Sequence, residues 1–215
     1  MGVRKWATAA LLVVAAFPVQ ARAQQNSVVP VDEAARDPEF FVFRARLQRA
    51  VAAHDTAAVM SVVSPRMLNS FGGNGGKDEF RQAWGVAEPE TSLLWATLGF
   101  VLALGGQFDT DTSFYAPYSF RGSAVDGFEG LIVLARNVMV RAQPNGNSAV
   151  RDTVSFEAVT KWREQSPTDG WEPVRTGGGQ TGWVRDDYLR SPIDYRAGFV
   201  RRQGRWWMRA LVAGD

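Results

Sequence analysis

The spacing of apolar positions changes character near residue 130. Before it, apolar side chains recur every three or four residues, the period of a helix; after it, they alternate in short runs broken by turn residues. Phe40, Phe43, Leu47, Ala50, Val51 and His54 form one helical stripe. Asp37-Pro38-Glu39 precedes it, combining an N-cap carboxylate, a proline in the first turn and a first-turn acid. Asp55 reads as a second cap, opening a shorter helix through Ala58, Val59 and Val62 that Ser64-Pro65 ends. Met67 to Phe71 reads as a short strand running into the glycine loop 72–76. Phe80 and Trp84, four residues apart, mark a third helix. Leu93 to Leu104, capped by Thr91 or Ser92 and closed by Gly105-Gly106, is apolar almost all round, which predicts a buried helix.

Phe108 to Phe120 is aromatic and rich in turn residues. Leu131–Leu134, Val138–Arg141, Val154–Lys161, Trp171–Val174 and Gly182–Val184 are the expected strands of a small barrel, which removes exposed edges by closing on itself. A last hairpin follows: Tyr195, Ala197 and Phe199, then the Arg202-Gln203-Gly204-Arg205 turn, then Trp206 to Val212. The expected fold class is therefore α+β. It comprises a helical N-terminal unit (37–130), a barrel (131–192) and a C-terminal hairpin (193–215) that packs back on the helices. The barrel then becomes an insertion rather than a tail. The helix–helix–strand opening and the closing Gly-Arg-Trp strand faintly resemble nuclear-transport-factor-like folds.

The first residues follow another logic. Met1 to Lys5 is basic, Ala7 to Phe17 is apolar, and Ala21-Arg22-Ala23 is a small-x-small cleavage site, the layout of a secretory signal peptide (1–23). Gln24 is then the mature terminus and 24–36 a flexible lead-in. The leader changes the charge balance. The whole chain carries 24 bases and 22 acids, but Arg4, Lys5 and Arg22 lie in the leader, leaving 21 bases against 22 acids. Its basicity is thus not that of a nucleic-acid-binding protein. Without cysteine, an exported chain has neither disulfides nor a lipidation site, and its core alone must hold it. A periplasmic or secreted protein with no membrane span in its mature chain is expected.

Gly170-Trp171-Glu172-Pro173-Val174, the Gly177-Gly178-Gly179 turn, Gly182-Trp183-Val184 and Asp186-Asp187-Tyr188-Leu189, with the upstream strand Val138-Met139-Val140-Arg141, resemble a bacterial SH3-like domain. The resemblance covers about 60 residues and implies a small barrel that binds peptide or cell wall. Aromatic residues near the loops of such barrels form grooves for extended peptides, since they offer a large apolar area at little entropic cost. It points to Trp162, Trp171, Trp183, Asp186 and Tyr188 as ligand-binding candidates. For Trp183 a core position is the equal alternative. Arg141 matches the family's first-strand arginine, which is more often structural.

Catalytic readings find little support. Cysteine–histidine wall peptidases need a cysteine, and zinc hydrolases need at least two histidines; the chain has only His54. That residue lies in phase with the apolar stripe beside Asp55, as a packed helix-end histidine does. Loop 72–76 departs from the phosphate-binding pattern, because Phe71 stands where its first glycine belongs and Asp78 follows Lys77. Glu79, Glu88, Glu90, Asp109 and Asp111 show no convergent acid–base or calcium pattern. No cofactor or metal is expected. The expected function is non-catalytic binding of peptidoglycan peptide or an envelope protein. Alternatives are a small-ligand or enzymatic pocket among Phe40, Phe43, Trp84, Trp95, Phe108, Phe114 and Tyr115, with Asp109 or Asp111 at its mouth, and a scaffold in an envelope assembly.

Overall fold

The computed structural model describes residues 26–120 and 125–214; the leader lies outside them. The chain is an α+β protein, with four α-helices and two sheets among these residues. Helix α1 (Pro38–Ala52) starts as its sequence dictates, with the Asp37 carboxylate accepting the Phe40 N–H at 2.9 Å. Its stripe buries Phe40, Leu47 and Val51, and also Arg44. The guanidinium of Arg44 donates to both carboxylate oxygens of Asp32, each at 2.7 Å, so the buried cation is neutralised by a residue just upstream of the helix.

Helix α2 (Thr56–Val62) is capped by Asp55, which accepts the Ala58 N–H at 2.9 Å. Strand β1 follows at once, as Val63–Leu68, rather than the expected 67–71. Pro65 is accommodated because β1 is an edge strand, and the residue points outward. Helices α3 (Lys77–Ala83) and α4 (Leu94–Ala103) come next. Five of ten residues in α4 are buried, though Phe100 remains 46% exposed. Ser92 Oγ accepts the Leu94 N–H at 3.2 Å. Beyond α4, Gly106 lies so close to the next hairpin that an added Cβ would stand 2.1 Å from the Tyr115 carbonyl oxygen. The stretch 108–120, expected to be turn-rich, contains the hairpin of β2 (Gln107–Thr110) and β3 (Ser113–Ala116). Strands of four residues leave too brief an alternation to read from sequence.

Strands β11 (Arg196–Arg202) and β12 (Arg205–Val212) turn at Gln203 and Gly204, both with positive φ, as a two-residue hairpin loop requires. They form the middle of a five-stranded sheet ordered β1-β12-β11-β3-β2. The β1–β12 pairing is parallel and the others are antiparallel. Against this sheet the helices close a core centred on Phe40. Its ring lies 4.3 Å from Phe114, 4.7 Å from Trp206 and 5.6 Å from both Phe108 and Phe199, measured between centroids.

Between β3 and β11 the chain builds its second sheet. The strands are β4 (Gly130–Val133), β5 (Val138–Arg141), β6 (Val150–Val154), β7 (Ala158–Lys161), β8 (Trp171–Arg175), β9 (Thr181–Arg185) and β10 (Leu189–Arg190). Their order is β10-β4-β7-β8-β9-β5-β6. The expected strand 154–161 is two strands, because Phe156 adopts φ 48° and breaks it. Val133, Val140, Val174 and Val184 are fully buried on one face in a cluster that contains no helical residue. The sheet therefore curls round its own apolar face. Part of the other face, at Ile132 and Ala158, is covered by Val28 of the lead-in and by Tyr118, just after β3.

Candidate functional site

Period-two geometry decides which residues can meet a ligand. In the β8–β9 ladder, Trp171 lies opposite Arg185 and Pro173 opposite Trp183, while Arg141 of β5 lies opposite Trp183. These residues share one face; the buried valines Val174, Val184 and Val140 share the other. Both tryptophans thus belong to the outer face. The backbone approach that allows this is tight. A Cβ on Gly182 would stand 2.5 Å from the Arg141 carbonyl oxygen and 2.7 Å from a Val140 methyl.

On this outer face a groove of about 440 Å³ opens between β5, the 144–149 turn and the end of β9. Its aromatic surfaces are Trp171, 9% exposed, and Tyr188, 44% exposed. Met139 adds an apolar contact surface, and Arg136, Arg141 and Arg185 supply charge. No acidic residue lines it. The Arg185 guanidinium carbon lies 5.8 Å from the Trp171 ring centroid, and its Nη2 reaches Asp187 at 2.6 Å. That carboxylate, beside the groove rather than in its lining, raises the Arg185 pKa by hydrogen bonding and charge. Arg141 donates to the Ser148 carbonyl at 2.6 Å, which pins the turn. The Arg136 guanidinium lies 5.3 Å from the Phe156 ring centroid and makes no ion pair among the described residues.

Of the five sequence candidates, Trp171 and Tyr188 line the groove. Trp183 shares their face but lies 8% exposed, outside the lining. Asp186 is exposed, and its N–H donates to the Gly170 carbonyl at 3.1 Å, closing the end of the β8–β9 ladder. Trp162 is half-buried in the loop after β7, where its N–H donates to the Pro173 carbonyl at 2.9 Å. Arg136, Met139 and Arg185 were not among the candidates. The alternation Val138-Met139-Val140-Arg141 and Gly182-Trp183-Val184-Arg185 carries the signal for Met139 and Arg185, since it puts an arginine and a bulky residue on the face opposite each pair of core positions; Arg136 lies before the first run and has no such signal.

Next to the groove, burial raises the Glu172 carboxyl above its ordinary pKa; Asp186 adds to the effect and Lys161 opposes it. Glu157 is raised too, by burial and by Asp152, against a backbone hydrogen bond at Ser155.

Elsewhere the polar groups serve the fold. His54, with φ 51°, stacks on Trp95 with centroids 5.0 Å apart and planes inclined by 10°. Asp55 beside it is the α2 cap. In loop 72–76, the Gly75 N–H donates to Glu79 at 2.9 Å and the Gly76 N–H to the Met67 carbonyl at 2.7 Å. Among the described residues no group of three or more histidine, aspartate or glutamate side chains is placed to hold a metal. None of their helices is long and apolar enough to cross a membrane. Phe40 and Phe114 are fully buried in the first core. A second trough, of about 690 Å³, runs between α1, α2 and the β11–β12 turn, with Phe43, Leu47, Val62 and Trp206 among its walls.

No protein-family model matches the chain, and no curated protein matches it either.

Proposed function

We propose that this chain is an exported, non-catalytic binding protein that holds an extended peptide in the groove on the outer face of its second sheet. The peptide belongs to peptidoglycan or to an envelope protein. The carrying observation is the conjunction of Trp171 and Tyr188 with three arginines around one open groove that no acidic side chain lines. Aromatic walls bury the apolar parts of a peptide, and guanidinium groups orient its polar atoms through planar, forked donors. The SH3-like sequence motifs support the same reading, and the leader pattern of residues 1–23 supports a periplasmic or secreted location. Co-sedimentation of the purified chain with purified sacculi tests it. Retention that falls at least several-fold in Tyr188→Ala is expected; a parent protein that stays in the supernatant removes wall binding.

A second reading draws on the trough beside α1, whose volume lies within the range of small-ligand sites, about 300–1,000 Å³. A small apolar ligand seated there would shift NMR resonances of Phe43 and Leu47. Absence of any such shift across a library of apolar fragments would dismiss that reading.

A further inference from the structure

The groove's charge is one-sided, and this selects its ligand. Three arginines surround it, and among the described residues only Arg185 has a salt-bridged carboxylate partner, the exposed Asp187. Arg141 spends one donor on the Ser148 carbonyl and directs another at Met139 Sδ, at 3.2 Å. Arg136 rests against Phe156. Each guanidinium has five N–H donors in a fixed fork matched to carboxylate geometry, and the hydrogen bonds that Arg141 and Arg185 make to Ser148, Met139 and Asp187 use only part of this capacity. Its size also matters. A volume of about 440 Å³ suits a short segment, whereas a protein partner needs roughly 800 Å² of surface on each side.

Resting on the peptide-binding reading above, we infer that the groove takes a short peptide through its free carboxylates, and that this peptide is the stem of peptidoglycan. Arg136 and Arg185 clamp the carboxylates, while Trp171 and Tyr188 flank the backbone between them. Asp187 is the internal counterion that an arriving carboxylate displaces from Arg185. Wall stem peptides are short, extended and rich in free carboxylates, which matches a groove having cations and aromatic walls but little area.

Titration calorimetry of the purified chain with two synthetic tetrapeptides tests the inference. One is Ala-Glu-Lys-Ala with a free C-terminus; the other is Ala-Gln-Lys-Ala with a C-terminal amide. The free acid should bind about ten-fold or more tightly than the amide, as expected for charge-assisted hydrogen bonds. The double substitution Arg136→Gln with Arg185→Gln should erase that difference and lower retention on sacculi. Asp187→Asn should tighten the free acid by about two- to five-fold, because Arg185 then loses its hydrogen-bonded competitor and keeps only the weaker charge of Asp186 nearby. Equal affinity for both peptides, with sacculus retention that Tyr188→Ala weakens but the arginine substitutions do not, overturns the carboxylate inference alone. Unchanged retention in Tyr188→Ala and in the arginine variant overturns the groove reading with it. Capture of an envelope protein at the groove, with no retention on sacculi, overturns the wall stem as the source.

Discussion

Arg185 stands directly across the β8–β9 ladder from Trp171, its guanidinium carbon 5.8 Å from the indole centroid. One residue provides charge and the other an apolar wall, and the hairpin register alone brings them together. Because Arg185 and Tyr188 are exposed, substituting either should alter binding without altering the fold. Arg185→Gln and Tyr188→Ala should keep their unfolding free energies within about 0.5 kcal/mol of the parent while losing retention on sacculi. A large drop in chemical stability would instead make these residues structural.

Gly182 holds the groove together from behind. A side chain there meets the Arg141 backbone at 2.5 Å, where β5 and β9 pair through the single register Arg141–Trp183. Gly182→Ala should therefore cost about 1–3 kcal/mol in urea unfolding, the range of an overpacked site. It should also weaken groove binding, because the wall formed by β5 would shift away from Trp171. Hydrogen exchange should show faster exchange in β5 and β9. Unchanged exchange in those two strands would contradict the close-packing argument.

The helices were legible because their signals are local. Asp37 and Asp55 cap as their positions dictate, and the Phe40–Leu47–Val51 stripe faces the core. The α+β class was legible in the change of period near residue 130. Other features depend on distant pairing. Strand β1 begins at Val63 because β12, more than 140 residues later, runs parallel to it. The break at Phe156 coincides with its carbonyl accepting the Val28 N–H at 2.7 Å, a contact no local window contains. At the candidate site, the Gly-Trp repeats marked two similar residues. Register separates them: Trp171 lines the groove and Trp183 packs beside Pro173. Arg141 and Arg185 were present in the alternation but needed the strand order to converge, and Arg136 lies outside it.

Phe40 is the keystone of the first core. It is fully buried and packs against Phe43, Phe108, Phe114, Phe199 and Trp206. Phe40→Ala removes a ring shared by α1, β2, β3, β11 and β12, so little can collapse into the space. A loss of about 3–5 kcal/mol is expected, measured by denaturant unfolding. Phe40→Leu should recover more than half of it. Phe41, exposed on the same helix, is the control: Phe41→Ala should leave the midpoint nearly unchanged.

Acidic pH should act in opposite directions on the Asp32–Arg44 pair and on the carboxyls of Glu172 and Glu157. Burial tends to raise the Asp32 pKa, but the Arg44 and Ala34 hydrogen bonds and the Arg44 charge outweigh it and hold the carboxyl below its ordinary value. A lowered native pKa contributes stability that is present above the unfolded value, about 4, and is lost as pH falls through the native one. Asp32→Asn should therefore destabilise at pH 7 and flatten the acid limb of the stability curve. The cost should be about 1–2 kcal/mol, since Asp32 is half-exposed and partly screened although Arg44 is buried. Glu172 and Glu157 are raised chiefly by burial, and the sign reverses. Their native forms hold a proton more tightly than the unfolded chain, so stability falls as pH rises from the ordinary glutamate value through the raised one. Glu172→Gln should consequently stabilise the protein at pH 7 by a few tenths of a kcal/mol, a modest gain because the group is partly solvated. Its advantage over the parent should vanish near pH 4. Unfolding midpoints of the parent, Asp32→Asn and Glu172→Gln between pH 3 and pH 8 would check both signs, and parallel curves for all three would refute the assignment.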